Sequence, residues 1–325
     1  MDIFQALAYF VTYYLLALNQ NSYLAFSLNF FIEDTLKIFA LLIVVSFIMA
    51  VFRFYFPMEK TRDILSKSKL WGLDYFLAAA LGVVTPFCSC SSIPLFYGFL
   101  AAGIPIGIIF TFLISSPLVN EASLFFFPVI LGWKITLIYN LLGMAIAIIG
   151  GIIFQKIKAE KYLDDSVQKI RRQDFVVEAK AKLSLSQKLQ MWFSQSIKMF
   201  QEVYVYILLG VGLGALVHGF IPQDFFLKYL SSNNFWAVPL ATIIGVPIYA
   251  SGLSVIPLIQ VSIEKGMGLG TALSFMTSVV TLSLPQALML KKMMQWKLFL
   301  WFYLFTTIAI IFMGYFFNFF QSFLL

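Results

Sequence analysis

The sequence contains little of the side-chain chemistry that most enzymes use. Its 325 residues include two cysteines and one histidine, and only 11% of the residues are charged. Two cysteines separated by one residue provide no disulfide framework, and a lone histidine, His218, makes no metal site. The sequence has neither a Walker motif nor a His-Glu-x-x-His motif, so nothing indicates ATP hydrolysis or metal-dependent hydrolysis. We therefore predict that the protein is not an enzyme and uses no cofactor.

Apolar residues take the place of the missing polar ones. Hydrophobic residues make up 61% of the chain and aromatic residues 18%, with a mean hydropathy of +0.91, which is outside the range of soluble globular proteins. Runs of roughly 20 apolar residues, each able to cross about 30 Å of hydrocarbon, lie at about 35–56, 104–127, 135–154, 199–220, 269–290 and 298–317. The composition predicts an all-α polytopic membrane protein with lipid around it.

Positive charge is concentrated in three patches, at residues 53–69, 156–198 and 291–297, and the net charge is +7. Cytoplasmic loops of membrane proteins collect Lys and Arg, which explains this charge without a nucleic-acid partner. The first residues carry no basic n-region and no cleavage site follows them, so we expect the first helix to be retained. The pattern predicts a multi-pass protein of the cell (inner) membrane with the polar loop 156–196 in the cytoplasm.

The two halves of the chain resemble each other. At an offset of 163 residues Gly103 matches Gly266, Ser115 matches Ser278, Trp133-Lys134 matches Trp296-Lys297 and Gly151 matches Gly314. Self-similarity at a fixed offset indicates repeated structural units. We interpret residues 33–155 as repeat 1 and 197–325 as repeat 2, with an N-terminal apolar helix in 1–32 and the polar loop 156–196 between the repeats.

The positive patches also predict how the repeats are oriented. The first helix of repeat 1 ends in a basic patch, whereas the matching position in repeat 2 carries only Lys228, so the two repeats should have inverted topology. Because the first two patches lie on the same side, the chain must cross the membrane an even number of times between them. Residues 71–103 are therefore predicted to form a broken re-entrant helical hairpin, and by symmetry 234–266 should form a second one. The hairpin tips would meet near the bilayer midplane, as in many secondary transporters. In the alternative, both hairpins are ordinary spans and the loop 156–196 lies outside.

Both cysteines lie in a polar stretch bracketed by prolines, Thr85-Pro-Phe-Cys-Ser-Cys-Ser-Ser-Ile-Pro94. Irregular backbone at membrane depth is tolerated where protein or a water-filled cavity satisfies it, so the stretch indicates a binding site. Cys88 and Cys90 would be thiols in a reducing cytoplasm, and thiolates are soft ligands suited to a transiently bound metalloid. Ser89, Ser91 and Ser92 add hydroxyl groups. In the alternative reading, the cysteines pack as small residues.

Further site residues are predicted outside the cysteine motif. Glu121 is an acid within an apolar run, and such acids carry protons or pair with cations, so we predict it to be the coupling residue, with Asn120 beside it in the substrate site. A structural acid nearer the membrane interface is the alternative. Tyr249, Ser251 and Ser254 mirror the cysteine tip in the second half and would form the facing wall.

The cysteine motif, together with Ala102-Gly-Ile-Pro105 and Ser115-Ser-Pro-Leu-Val-Asn120-Glu, resembles the YraQ-like permeases (UPF0718), the family that includes the ArsP organoarsenical efflux permeases. The resemblance covers about residues 33–317. It implies export of trivalent, thiol-reactive arsenicals, with the family's cysteine motif carried onto Cys88 and Cys90. We therefore predict a secondary permease for small thiophilic solutes, most simply an exporter of trivalent arsenicals or similar soft species.

Two other functions agree with the same residues. One is a transporter of sulfur compounds or thiol-bearing solutes, in which the cysteines make persulfide or hydrogen-bond contacts. The other is a membrane thiol–disulfide relay, in which Cys88 and Cys90 exchange electrons with a thioredoxin-like or other thiol partner. A disulfide between cysteines one residue apart closes a small strained ring and would be oxidising.

Overall fold

The computed structural model describes residues 3–19, 22–55, 72–84, 96, 99–100, 103–164, 184–220, 235–248, 255, 260, 263 and 266–324. Helices make up nearly all of the regular structure in these ranges. No β-sheet occurs within them; an isolated antiparallel bridge joins Leu163 and Met294. The prediction of an all-α protein is confirmed for this part of the chain.

The helices of the first half are α1 (Ile3–Tyr9), continued by a π-helical turn (Phe10–Leu15), α2 (Tyr23–Tyr55), α3 (Leu73–Val84), α4 (Ile106–Leu118), α5 (Glu121–Phe125), α6 (Phe127–Ile130) and α7 (Trp133–Lys156). A 3-10 turn (Ala159–Tyr162) follows α7. The helices of the second half are α8 (Leu185–Phe220), α9 (Ala237–Gly245), α10 (Leu269–Thr281), α11 (Leu284–Met293), α12 (Trp296–Phe319) and α13 (Gln321–Leu324).

Two helices among the described residues are long and apolar enough to cross a membrane. They are α7 and α12, each of 24 residues, and 24 residues rise about 36 Å, more than the roughly 30 Å of a hydrocarbon core. Helices α10 and α11 form a third candidate span if they are taken as one segment, which bends by 51° at the break between them. The chain therefore has the helices of a membrane protein.

Three predicted apolar runs differ from the helices that contain them. Helix α2 begins at Tyr23, twelve residues before the apolar run at about 35–56, and α8 runs unbroken from Leu185 to Phe220, so it begins fourteen residues before the apolar run at about 199–220. Both differences have one cause, since no Gly or Pro occurs in 23–55 or 185–209 to end a helix. The apolar run 104–127 contains more than one helix, because α4 ends at Leu118 and α5 begins at Glu121.

Equivalent helices in the two halves have equal lengths and make equivalent contacts. Helices α4 and α10 have 13 residues each, α7 and α12 have 24 each, and each pair starts 163 residues apart. In the first half the Gly107 amide donates to Gln155 Oε1 over 2.7 Å, and in the second half the Gly270 amide donates to Asn318 Oδ1 over 2.7 Å. The second half thus repeats, 163 residues later, a close crossing of two helices at a glycine whose amide is capped by a side chain of the other helix.

The glycines at these crossings lie against backbone. A methyl group at Gly151 would collide with Thr111 Oγ1 and the Gly107 carbonyl, and one at Gly270 would collide with the Gly314 carbonyl. Adjacent helices can approach this closely only where small residues face each other. Close approach therefore fixes α4 on α7 and, separately, α10 on α12.

The contacts divide the chain into two compact units. The first contains Met1–Leu41, Val203–Leu288 and Thr306–Leu325, and the second contains Leu42–Glu202 and Met289–Phe305. In the second unit Phe110, Phe154 and Phe302 form an aromatic cluster with ring centroids 4.5 to 6.1 Å apart. All three side chains are buried, so this cluster is a centre of the packing within that unit.

Candidate functional site

Most of the predicted site residues lie outside the described residues. These are Cys88, Ser89, Cys90, Ser91 and Ser92 at the first tip, and Tyr249, Ser251 and Ser254 at the second. The structure describes Asn120 completely and the backbone of Glu121, which is the first residue of α5. The predicted meeting of the two tips therefore stays a prediction, and the described residues show what surrounds it.

Short helices precede both predicted tips in the sequence. Helix α3 is described over 12 residues, Leu73–Val84, before the cysteine motif, and α9 has 9 residues and ends at Gly245, four residues before Tyr249. At 1.5 Å per residue these described lengths rise about 18 Å and 14 Å, which is less than the roughly 30 Å of a hydrocarbon core. Helix α9 therefore cannot cross a membrane alone.

Each short helix is held by a serine of the neighbouring broken helix. Ser115 Oγ of α4 donates a hydrogen bond to the Ala79 carbonyl of α3 over 2.8 Å, and Ser278 Oγ of α10 donates to the Thr242 carbonyl of α9. Glycines make room for both contacts, because an added Cβ at Gly82 or Gly245 would lie 2.9 Å from the serine Cβ. The serine contact positions α3, which precedes the cysteine motif in the sequence.

The first break, residues 119–120, separates α4 from α5 and is closed by side-chain hydrogen bonds. Asn120 is the N-cap of α5, since its Oδ1 accepts from the Ser123 amide at 3.1 Å, while Ser123 Oγ donates to the Asn120 carbonyl at 2.8 Å. Tyr139 of α7 donates its hydroxyl to the Leu118 carbonyl over 3.0 Å. Asn120, predicted to bind substrate, thus has a capping role here.

Tyr139 was not predicted from the sequence. It lies in the apolar helix α7 and is only 2% exposed. A buried tyrosine hydroxyl usually has a hydrogen-bond partner, so a tyrosine within an apolar helix could have indicated that its hydroxyl bonds to another part of the structure. The sequence could not identify the partner as the carbonyl at the end of α4, 21 residues earlier.

The second break, residues 282–283, separates α10 from α11 and differs from the first. Ser283 and Gln286 stand at the positions that match Asn120 and Ser123, and they are 0% and 2% exposed. Ser283 Oγ and Gln286 Oε1 have no hydrogen-bond partner in the described structure. Phe302, which has no hydroxyl, stands at the position that matches Tyr139. The two breaks therefore share a fold position but differ in chemistry.

Side chains that commonly bind metal ions are not clustered in the part of the chain that the structure describes. No group of three or more His, Cys, Asp or Glu residues that could hold a metal ion occurs there. The charged pair on α2, Lys37 with Glu33 at 2.6 Å, is a local i,i+4 ion pair. The predicted soft ligands Cys88 and Cys90 lie outside these residues.

Comparisons with known proteins identify two relatives. The UPF0718 protein MJ0584 of Methanocaldococcus jannaschii is 24% identical over 277 residues, which cover 68% of this chain and 75% of the relative. The UPF0718 protein YraQ of Escherichia coli strain K12 is 25% identical over 210 residues, 63% of this chain and 56% of YraQ, so the match spans little more than half of that relative. No solved structure matches the chain.

A family model described as "Predicted permease", ArsP_1, matches residues 24–319. This range includes both short helices, both breaks and both glycine crossings, and it extends over most of the chain. The resemblance predicted from the motifs is confirmed. A permease family implies a membrane transporter rather than an enzyme, and the chain belongs to the ArsP_1 family of predicted permeases.

Proposed function

We propose that this protein is an inner-membrane secondary permease that exports small thiophilic solutes, in the first place trivalent organoarsenicals, through Cys88 and Cys90. The observation that carries the proposal is the permease-family match over residues 24–319, which encloses the Thr-Pro-Phe-Cys-Ser-Cys-Ser motif. The two inverted repeats with tips at the midplane are part of the same proposal. The repeated α3–α4 and α9–α10 contacts support it, because they hold a short helix before each tip.

The chemistry of the cargo agrees with two thiols. Methylarsenite, CH₃As(OH)₂, has two exchangeable hydroxyl groups. Two cysteine thiols would replace them, forming two As–S bonds and releasing two water molecules, with no change in oxidation state. Water or another thiol would reverse the exchange on the other side of the membrane. Because a thiolate is the nucleophile and the soft ligand, a hydroxyl or an amide cannot substitute for it.

The proposal predicts which variants lose transport. We expect everted membrane vesicles with the wild-type protein to accumulate methylarsenite, and vesicles with Cys88→Ser or Cys90→Ser to accumulate no more than vesicles without the protein. Ser186→Ala, which removes an exposed hydroxyl group from the start of α8 and leaves both thiols, is the matched control and should keep the activity. Wild-type vesicles that take up no methylarsenite, with the protein shown to be folded, would exclude the arsenical as cargo.

The same vesicles test the role of Glu121. An acid in an apolar segment can carry the proton that drives a secondary transporter, so Glu121→Gln should remove the response of transport to an imposed proton gradient. Exchange of methylarsenite across the membrane without a gradient should persist in that variant. Loss of both, or of neither, would contradict a coupling role for this carboxylate.

A redox assay separates the permease from the thiol relay. If Cys88 and Cys90 form a disulfide that cycles with a thioredoxin-like protein, alkylation under reducing and oxidising conditions will show two states of the pair, and electrons will pass to the partner. Two thiols that stay reduced throughout transport would support the permease. A persulfide adduct on either cysteine would support sulfur compounds as the cargo.

A further inference from the structure

The first turn of α11 has the sequence of a helix N-cap whose hydrogen bonds are not formed. Ser283-Leu-Pro-Gln286 is a capping-box sequence, in which the serine oxygen accepts from the third amide of the helix and the glutamine side chain returns to the serine amide. Here Ser283 Oγ and Gln286 Oε1 have no hydrogen-bond partner among the described residues. Since the two side chains are 0% and 2% exposed, solvent outside the protein does not satisfy them.

The first half shows that a helix break of this kind can be closed. There Asn120 and Ser123 form both of their capping bonds, at 3.1 and 2.8 Å, and Tyr139 satisfies the preceding carbonyl. The second half has a break at the matching position, between α10 and α11, but the corresponding side-chain hydrogen bonds of Ser283 and Gln286 are not formed among the described residues. Buried polar groups without a partner are rare in native proteins and point to a water, an ion or another function. We refer to Ser283 and Gln286 together as the open cap.

The open cap presents two buried side-chain oxygen atoms within a segment of the chain that carries no charged residue. The amide oxygen of Gln286 can only accept, so its ligand must be a cation or a hydrogen-bond donor. Positions three residues apart on a helix are neighbours, and both side chains are fully or almost fully buried, which favours a ligand of one or a few atoms. No charged residue occurs between Leu269 and Leu290, and neutral oxygen ligands without a carboxylate suit a monovalent cation better than Ca²⁺.

We propose that the open cap binds a sodium ion. At this break the last carbonyl groups of α10 carry partial negative charge and the first amides of α11 carry partial positive charge, so the two unpartnered side-chain oxygens are what favours a cation. Broken helices in transporters coordinate Na⁺ with such carbonyl groups. This proposal goes beyond the export of soft solutes, since it concerns a second ligand at a place that contains neither thiol nor acid.

The test measures binding of radiolabelled Na⁺ to the purified full-length protein in lipid nanodiscs, without any arsenical. We expect saturable binding that unlabelled Na⁺ displaces and that choline at equal ionic strength does not. Ser283→Ala and Gln286→Leu should each weaken binding at least about tenfold. Ser123→Ala, at the position that matches Gln286 in the closed first half, should leave Na⁺ binding unchanged.

Two further variants keep the test decisive. Ser283→Thr preserves the hydroxyl group and should bind Na⁺, which separates loss of a ligand from loss of the fold; size-exclusion profiles report the fold directly. Cys88→Ser should bind Na⁺ normally and fail only in arsenical transport, so the failure of one proposal is distinguishable from failure of the other. Absence of saturable Na⁺ binding in the wild type would overturn the proposal, and equal binding in the wild type and Ser283→Ala would overturn it by showing that Na⁺ binds elsewhere.

Discussion

Replacement of Gly107 by alanine tests whether close helix approach holds the first half together. The added Cβ would lie 2.7 Å from the Gly151 carbonyl oxygen, 2.7 Å from Gln155 Cβ and 2.8 Å from the Tyr75 hydroxyl. Ordinary contacts lie at roughly 3.5 Å or more, so α4 and α7 would have to separate by about 0.8 Å. That movement also stretches the bond from the Gly107 amide to Gln155, now 2.7 Å long.

The expected loss of stability combines these two effects. Overpacking of a filled interior costs about 1–3 kcal/mol, and weakening one buried hydrogen bond costs up to about 1 kcal/mol. The higher helix propensity of alanine offsets less than about 1 kcal/mol of this loss. We therefore expect the free energy of unfolding to fall by about 2 kcal/mol. Gly270→Ala in the second half, which would meet the Gly314 carbonyl, should have a similar effect.

Titration of the purified protein with SDS, followed by tryptophan fluorescence, measures this change. Gly212→Ala is the matched control, because α8 is helical there and the nearest atom to the added Cβ, Phe31 Cε2, is 3.6 Å away. This variant should be at least as stable as the wild type, because alanine gains up to about 1 kcal/mol of helix propensity over glycine and meets no clash there. If Gly107→Ala is as stable as Gly212→Ala, the reasoning from close approach is refuted.

Three further predictions use the same titration. Gln155→Leu removes the acceptor for the Gly107 amide at the start of α4 and should cost about 1–3 kcal/mol, because it leaves a donor unsatisfied; a neutral result would show that water replaces the cap. Asn120→Ala removes the N-cap of α5 and should cost about 1 kcal/mol, and a loss of transport at unchanged stability would show instead that this amide contacts substrate. Tyr139→Phe removes one hydroxyl bond and should cost about 1 kcal/mol with transport retained; a larger loss would indicate a role for the hydroxyl beyond this bond.

Composition was sufficient to predict the class of the protein. Apolar runs at membrane length must be helical because lipid offers no partner for backbone groups, and the described residues are helical. The offset of 163 residues, seen in matches such as Ser115 with Ser278, also relates the helix bounds of α4 and α7 to those of α10 and α12. The start of α2 was predicted poorly, because hydropathy marks the membrane-embedded part of a helix, from about residue 35, and not the turns before it that begin at Tyr23.

Much of the surroundings of the candidate site could not be predicted from the sequence. The serine contacts of Ser115 and Ser278 join residues 36 positions apart, and the Tyr139 contact depends on how α7 packs. Such bonds follow from tertiary approach, which no local pattern encodes. The capping box at Ser283 and Gln286 is a local pattern, yet its bonds are not formed, so the sequence motif alone would have predicted a closed cap.

The cap of α4 has a consequence for the order of biogenesis. The amide at Gly107 is satisfied by Gln155, which is synthesised 48 residues later, and the amide at Gly270 by Asn318, again 48 residues later. Until the last turn of α7 leaves the ribosome, the start of α4 has no acceptor from its own half. Ribosome-arrested chains that end before residue 155 should therefore remain accessible to protease near α4, and each half should become resistant only when its final long helix is complete.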